Sequence, residues 1–333
     1  MIELPEPQTT LSIVVPAYNE VDTLEKLVSV VSAVADRLGC TYEIVIVNDG
    51  STDGTEGLLR VLADRHPHFI TAINLSRNFG KEAAMAAGLG AAKGQCLAFI
   101  DADLQHPPDL LGKMFAEWRR GSDVVNAVKR RRANEPVLYR WCAHAFNRLM
   151  TGMIGTDMAG ASDYKLIDRQ VADVLLDCPE RNRFFRGLVA WVGFKVSNIE
   201  FNVQERELGA SKWSLWSLLR YSVTNMVSFS SWPLRAVGLA GFVTAMLGVL
   251  LLVQTLVRYA MGQAASGFTT VIAVQLLLSG MILVALGVIA IYLSQMYEEQ
   301  KQRPLFVVKQ VRVASPAARA TVDRIPQAGE LVR

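Results

Sequence analysis

With 333 residues, 51% of them hydrophobic, and a net charge of +3, the chain has room for about two domains and too little positive charge for a nucleic-acid binder. Its apolar excess is concentrated in two charge-free runs, read as membrane spans, with two buried helices of a large soluble core as the alternative. Four cysteines (Cys40, Cys96, Cys142, Cys178) without CxxC spacing exclude a thiolate metal site and fit small core side chains in a reducing compartment.

The N-terminal "MIELPEPQTT" has no apolar h-region, so residues 1 to about 230 are expected to stay in the cytosol. "LSIVVP" then reads as a buried strand and "TLEKLVSVVSAVADRLG" as a helix, with Leu24, Leu27, Val28, Val31, Ala35 and Leu38 on one face. "YEIVIVN" is a second strand, followed by the turn "DGSTDG" and the helix "TEGLLRVLADRH". "FITAINL", "CLAFID" and "DVVNAV" are further strands, alternating with the helices "KEAAMAAGLGAAK" and "DLLGKMFAEWRRG". Continuous apolar strands between amphipathic helices predict an α/β, mostly parallel sheet covered on both faces. Ligands of such sheets bind at the carboxyl ends of the strands, beside a topological switch point. "PAYNE", "NDGSTDG", "LSRNFG" and "DADLQHPP" all fall at those ends.

From 128 to about 205 the pattern is irregular and includes the basic cluster "KRRR" at 129 to 132. Residues 213–235, rich in Trp, Leu and Phe, read as an interfacial amphipathic helix, with an ordinary surface helix as the alternative. Ala236 to Val257 follows without a charge and, at ~1.5 Å per residue, spans about 33 Å, one bilayer core. Val271 to Leu293 is a second such run. Arg206, Lys212, Arg220 and Arg235 precede the first run and Lys301, Arg303, Lys309 and Arg312 follow the second, whereas Tyr259 to Thr270 carries no charge. The positive-inside rule then puts the 1–212 domain, the 294–333 tail and both termini in the cytoplasm. The end of the tail, after about residue 314, is expected to be disordered. Gly238, Gly241 and Gly248 would let spans pack closely, as in a homo-oligomer.

Asp101, Asp103 and Gln105 sit two apart where the fourth strand ends, so a bend there would converge their oxygens on one point. Such oxygens suit a hard cation, Mg²⁺ or Mn²⁺, held by one or two carboxylates and substrate phosphates. Pro107 and Pro108 stop strand pairing, and Asp109 is the expected cap of the next helix. His106 would either touch a bound diphosphate or pack the loop, and His66 and His68 read as a solvated turn around Pro67. Trp191 would face the membrane side of the site or join the core.

In this order, "LSIVVPAYNE", "EIVIVNDGSTDGT", "SRNFGKEAAMAAGL", "DADLQHPP", "FFRGLVAWVGF" and "RELGASKW" resemble family 2 glycosyltransferases. Over roughly residues 10 to 310 the chain is similar to the polyprenyl-phosphate glycosyltransferases, a group that includes undecaprenyl-phosphate glucosyltransferases and dolichol-phosphate mannose synthases. The resemblance implies a Rossmann-like GT-A domain, a divalent metal, and transfer of one sugar from a nucleotide diphosphate to a lipid phosphate at the cytoplasmic membrane face. It also implies that Pro16, Tyr18, Glu20 and Asp49 line the nucleoside pocket, with Arg77 nearby. Asp101, Asp103 and Gln105 match the metal and diphosphate motif. Arg206, Ser211 and Lys212 match the segment that closes over the phosphates, and Arg130 and Arg132 the basic residues for the acceptor phosphate. Relatives often read "DDGS" where this chain has Asn48-Asp49-Gly50-Ser51.

Asp163 in "GASDYKLIDR" matches a catalytic aspartate, with Arg130 or Arg132 as its expected counter-charge; the residue-level alternative is an N-cap for a helix over "YKLIDRQVADVLL". The resemblance favours glucose from UDP-glucose and an inverting displacement. GDP-mannose, UDP-galactose, UDP-N-acetylhexosamine and UDP-aminoarabinose stay open as donors, since a few side chains can switch between epimers. A processive polysaccharide synthase would need more spans and a QxxRW-type motif, and a non-catalytic nucleotide-sugar sensor would not need an intact "DADLQ".

Overall fold

In the strand Leu11–Ala17 (β1) nearly every residue is buried, which marks a strand covered on both faces. The computed structural model describes residues 10–129, 161–181, 183–201, 232–262 and 267–313. After β1 come α1 (Leu24–Arg37), β2 (Tyr42–Asn48), α2 (Thr55–Arg65), β3 (Ile70–Leu75), α3 (Lys81–Ala91), β4 (Cys96–Phe99), α4 (Leu110–Arg119) and β5 (Val124–Lys129). These match the elements expected from periodicity, within a few residues at each end. Beyond them lie β6 (Ala161–Asp168), α5 (Arg169–Asp177), α6 (Phe185–Trp191), β7 (Val196–Phe201), α7 (Trp232–Ala260), α8 (Phe268–Gln300) and β8 (Val308–Arg312).

The strands form one sheet in the order β7-β5-β6-β4-β1-β2-β3-β8. The central β4-β1-β2-β3 block is parallel. Strands β6 and β8 enter antiparallel, β6 against both β4 and β5, and β8 against β3. The chain winds outward from β1 to β3 and then returns to the other side of β1 with β4, so the switch point lies between β1 and β4. Helix α3 covers this block closely: a Cβ on Gly88 would stand 2.3 Å from Val14 Cγ1. Only glycine lets the helix sit that near, and Val14 and Val47 beneath it are each worth about 1.5–3 kcal/mol of burial. Arg169, at the start of α5, holds the far end of α3 by donating to the carbonyls of Ala92 (2.8 Å) and Gly94 (2.6 Å from Nη2).

The last strand departs from expectation. Residues read as part of a tail supply β8, with Phe306 and Val308 buried and Ser76 N donating to Val307 O at 2.8 Å. Lys309 pairs with Glu56 and Arg312 with Asp64. The sheet with its helices, including β8, is one unit; α7 and α8 belong to another.

Helix α7 contains the charge-free run 236–257, and α8 the run 271–293. Both are long and apolar enough to cross a membrane. Leu239, Phe242, Leu250, Leu276 and Leu283 expose between 61% and 69% of their surface, which is incompatible with core helices of a soluble protein and suits an apolar surround.

Candidate active site

Three loops at the carboxyl ends of β1, β2 and β3 are tied together chiefly by backbone amides donating to side-chain oxygens. Asn19, held at φ 55°, donates its amide to Ser51 Oγ (2.9 Å) and accepts from Thr52 N (2.9 Å) through Oδ1. Glu20 N donates to Thr55 Oγ1, and its carboxylate accepts from Thr23 Oγ1 at 2.7 Å. Asn48 Oδ1 accepts from Ser51 N, while its Nδ2 donates to Asn74 Oδ1 across the β2–β3 register at 2.8 Å. An aspartate at 48 would lose that second bond, which gives a structural reason for the amide in this chain.

Asp49 is buried and accepts from Phe79 N (2.7 Å) through Oδ1 and from Gly80 N (2.9 Å) through Oδ2. Burial pushes its pKa up, against the pull of those two amides and of Arg77. Gly50 completes the lock: at φ 63°, a Cβ there would meet the Arg77 carbonyl carbon at 2.2 Å. Arg77 itself is exposed and lies over the Phe79 ring at 4.3 Å. Of the side chains expected around a nucleoside, Tyr18 is exposed and Pro16 and Glu20 are half-buried; Asp49 anchors the loop that carries Arg77.

The acidic loop follows β4. Leu104 takes φ 58°, and Asp103 Oδ1 accepts from Gln105 N at 3.1 Å, a tight turn that brings Asp101 and Asp103 together. The third side chain in this group is His106: one ligand atom each from Asp101, Asp103 and His106 lie within 4.8 Å of one another. His106 is buried between the rings of Tyr164 (5.2 Å) and Phe201 (5.6 Å), with Nδ1 3.9 Å from Asp101 Oδ2. Two carboxylates with an imidazole at the edge fit Mn²⁺ or Mg²⁺ by donor chemistry. Gln105, expected as a ligand, contributes its backbone N–H to the turn. Asp109 stands at the N-cap position of α4 without a capping bond, and its carboxylate is 4.0 Å from Arg37.

Asp163 lies in β6, not at a helix start; the capping residue of α5 is Asp168, which accepts from Gln170 N. Strands β4 and β6 pair antiparallel with Phe99 opposite Lys165. Continuing that register by two residues sets Asp163 opposite Asp101. Lys81, the first residue of α3, joins them: its Nζ is 2.5 Å from Asp101 Oδ1 and 2.7 Å from Asp163 Oδ2. Arg186 of α6 grips Asp163 with both Nε and Nη2. Burial would raise the Asp163 pKa, but Arg186 and Lys81 outweigh it and hold the carboxyl well below the usual range. Desolvation of the ammonium by the surrounding cluster opposes the charge on Lys81, and Asp101 and Asp163 more than restore it.

Glu82, next to Lys81, accepts from Phe185 N at 2.9 Å and so fixes the start of α6. Burial, reinforced by Asp163, pushes the Glu82 pKa up to about 7. Lys165 shares the Asp163 face of β6 and donates to Asn126 Oδ1 at 2.6 Å; burial and Arg186 pull its pKa down to about 8.

Sequence reasoning did not single out Lys81, Glu82, Lys165 or Arg186, although "SRNFGKEAAMAAGL" and "FFRGLVAWVGF" contain three of them. The counter-charges of Asp163 among the described residues are Lys81 and Arg186, where Arg130 or Arg132 had been expected. Arg130, Arg132, Arg206, Ser211 and Lys212 lie outside the described residues. His66 packs on Phe69 at 5.0 Å in its turn, and Trp191 is 61% exposed, outside the core.

Residues 12–187 match glycosyl transferase family 2. An uncharacterized glycosyltransferase of Synechocystis is 38% identical over 90% of this chain and 94% of its own. A prophage bactoprenol glucosyl transferase homolog of Escherichia coli is 32% identical over 91% of this chain and 99% of its own. The bactoprenol glucosyl transferase of a Shigella phage is 32% identical over 92% and 99%. Among solved structures, glucosyl-3-phosphoglycerate synthase from Mycobacterium tuberculosis, with Mn²⁺, UDP-glucose and phosphoglyceric acid, aligns with 66% of this chain and 78% of its own at 20% identity and a TM-score of 0.45. Matched by the family from β1 through β6 and the start of α6, and by relatives over nine-tenths of the chain, including both apolar helices, the chain belongs to glycosyl transferase family 2.

Proposed function

We propose that this glycosyltransferase moves a single sugar, glucose from UDP-glucose, onto a polyprenyl phosphate such as undecaprenyl phosphate, with inversion. The observation that carries this reading is the similarity to bactoprenol glucosyl transferases along nine-tenths of the chain, including α7 and α8. On this reading residues 1–212 are the catalytic domain, 213–235 an interfacial segment, 236–257 and 271–293 the spans of a multi-pass inner-membrane protein, and 294–333 a cytoplasmic segment that also supplies β8. The domain and both termini face the cytoplasm, where the nucleotide sugar is available.

The loops after β1, β2 and β3 would hold the nucleoside, with Pro16, Tyr18 and Glu20 around it, Arg77 beside it and Asp49 fixing the Arg77 loop. Asp101 and Asp103, with Gln105 or His106 completing the set, would hold Mg²⁺ or Mn²⁺. When bound, that ion neutralises charge on the departing diphosphate and removes the need for a proton donor there. Arg206, Ser211 and Lys212 would close over the phosphates, and Arg130 and Arg132 would receive the acceptor.

The state of Asp163 bears on its role. A carboxylate held ionised by two cations is a weak base near neutral pH. A phosphate monoester with its second pKa near ~6 is already largely deprotonated there and needs no strong base. Asp163 therefore serves by holding Lys81 and Arg186, whose side chains keep 40% and 35% of their surface, beside Asp101 where phosphates would gather. The test is mass spectrometry of lipid from purified protein, undecaprenyl phosphate, Mn²⁺ and a panel of nucleotide sugars. A lipid gaining one hexose from UDP-glucose supports the reading; gain from another donor moves the substrate, and no gain from any donor defeats it.

A further inference from the structure

The ammonium of Lys81 lies between the β4 loop and β6, 2.5 Å from Asp101 and 2.7 Å from Asp163. The two carboxylates are unequally provided for. Asp163 has the Arg186 fork on both its oxygens and keeps 11% of its surface; without Lys81 it would still be paired. Asp101 keeps 24%, and its other basic neighbour among the described ion pairs is His106, at 3.9 Å. Lys81 is the most exposed member at 40%. It also stands at the first position of α3, straight after Gly80 at φ 99°, where the helix dipole disfavours a cation. What holds its charge there is the carboxylate pair, and its four-carbon stem can swing outward without moving the helix.

A divalent ion on Asp101 and an ammonium on the same carboxylate would repel each other at close range. We propose that Lys81 is an exchangeable counter-cation: it bridges Asp101 and Asp163 until a divalent ion takes Asp101, and then turns from Asp101 to the phosphates that arrive with the ion. This rests on the assignment of Asp101 to the metal under the proposed function. It adds that the Lys81 bridge neutralises two facing carboxylates whenever no divalent ion is bound, and so makes the ion bind better with the nucleotide than alone. No covalent step is involved; one cation replaces another.

The experiment is titration of Mn²⁺ by electron paramagnetic resonance of the free ion, on the full-length protein in detergent, without nucleotide. Lys81→Met removes the competitor and should bind Mn²⁺ about tenfold more tightly than wild type. Arg186→Met removes the same charge from the same cluster without touching Asp101, and should gain less than about threefold. Lys81→Arg, which keeps the cation, should gain nothing, and Lys81→Gln replaces the Met variant should that one fail to fold. In turnover, Lys81→Met should lower both kcat and the Mn²⁺ concentration at half-maximal rate, a split that loss of structure alone does not give. Equal gains in the Lys81 and Arg186 variants would reduce the effect to overall charge and overturn the proposal, as would unchanged affinity in Lys81→Met. Absence of Mn²⁺ binding by wild type, with UDP or without, would overturn the metal assignment and this inference with it.

Discussion

The two sides of the site are built by different means. On the β1–β3 side, loops are locked by backbone amides, Asn19 against Ser51 and Thr52 and Asp49 against Phe79 and Gly80, and by the close approach of Gly50 to the Arg77 backbone. On the β6 side, side-chain charges meet each other: Asp101, Lys81, Asp163 and Arg186, with Glu82 and Lys165 close behind. Backbone amides held by fixed acceptors set one geometry, which suits the pocket for a base and ribose proposed there. Charge pairs can exchange partners, which suits the proposed binding of an ion and phosphates there. The first side is a mould, the second a cluster of paired counter-charges.

Substitutions that spare shape but remove charge separate the two sides. The largest effect is expected between them: Asp103→Asn should lower transfer at least about 10³-fold while leaving thermal unfolding near wild type, because it neutralises a carboxylate proposed to hold the metal and changes little volume. Wild-type rates in that variant would break the comparison at its centre. Asp163→Asn should lower transfer by about 100-fold and also destabilise the fold by about 3 kcal/mol, since Lys81 and Arg186 lose a partly buried partner. A variant with full stability and low activity would show that the cluster carries chemistry without holding α3 and α6 to β6.

Glu82 gives a pH signature. Its pKa is about 7 in the folded chain against an ordinary 4.5, so between those values the folded chain binds more protons than the unfolded one. Stability contributed by this group is therefore full at low pH and falls as pH rises from about 4.5 through about 7, by up to about 3 kcal/mol at ~1.4 kcal/mol per unit. Glu82→Gln keeps an acceptor for Phe185 N and should remove that slope; parallel unfolding profiles at pH 5 and pH 8 would contradict the burial of this carboxyl. The smallest effect belongs to β8: removing Lys309 and Arg312 together should cost less than about 1 kcal/mol, because their ion pairs with Glu56 and Asp64 are solvent-exposed. A larger loss in chemical denaturation would assign the attachment of β8 to charge in place of Phe306 and Val308.

The mould side was legible in the sequence because each of its parts is local. Buried strands such as "YEIVIVN" announce themselves by continuous apolar residues, and the polar loops after them must lie at one edge of a parallel sheet. The placing of Asp101 and Asp103 at the end of β4 followed the same logic, whereas His106 standing beside them where Gln105 was expected did not. The counter-charge side was not legible, because its contacts join distant positions: Lys81 and Asp163 are 82 residues apart in the chain. Nothing local distinguishes Lys81 from a surface lysine at a helix start, and it takes the β4–β6 register, extended two residues past its last pair, to set Asp163 opposite Asp101. "ASDYKLID" also mixes charges with apolar residues on a strand buried on both faces, so its period misleads and a helix cap looked as plausible. Strand β8 was hidden by its setting: "VKQVR" is short, half-polar and follows the apolar helices, where a tail was the simplest reading. A truncation before α7 would remove it from the sheet as well.

The most direct test of the account is a structure of the full-length protein with Mn²⁺ and UDP, with the metal located by its anomalous scattering. The account predicts the ion within coordination distance of Asp101 and Asp103, the uridine at the ends of β1 to β3, and the Lys81 ammonium displaced from Asp101. An ion bound away from these two carboxylates, or a uridine seated elsewhere on the sheet, would contradict it.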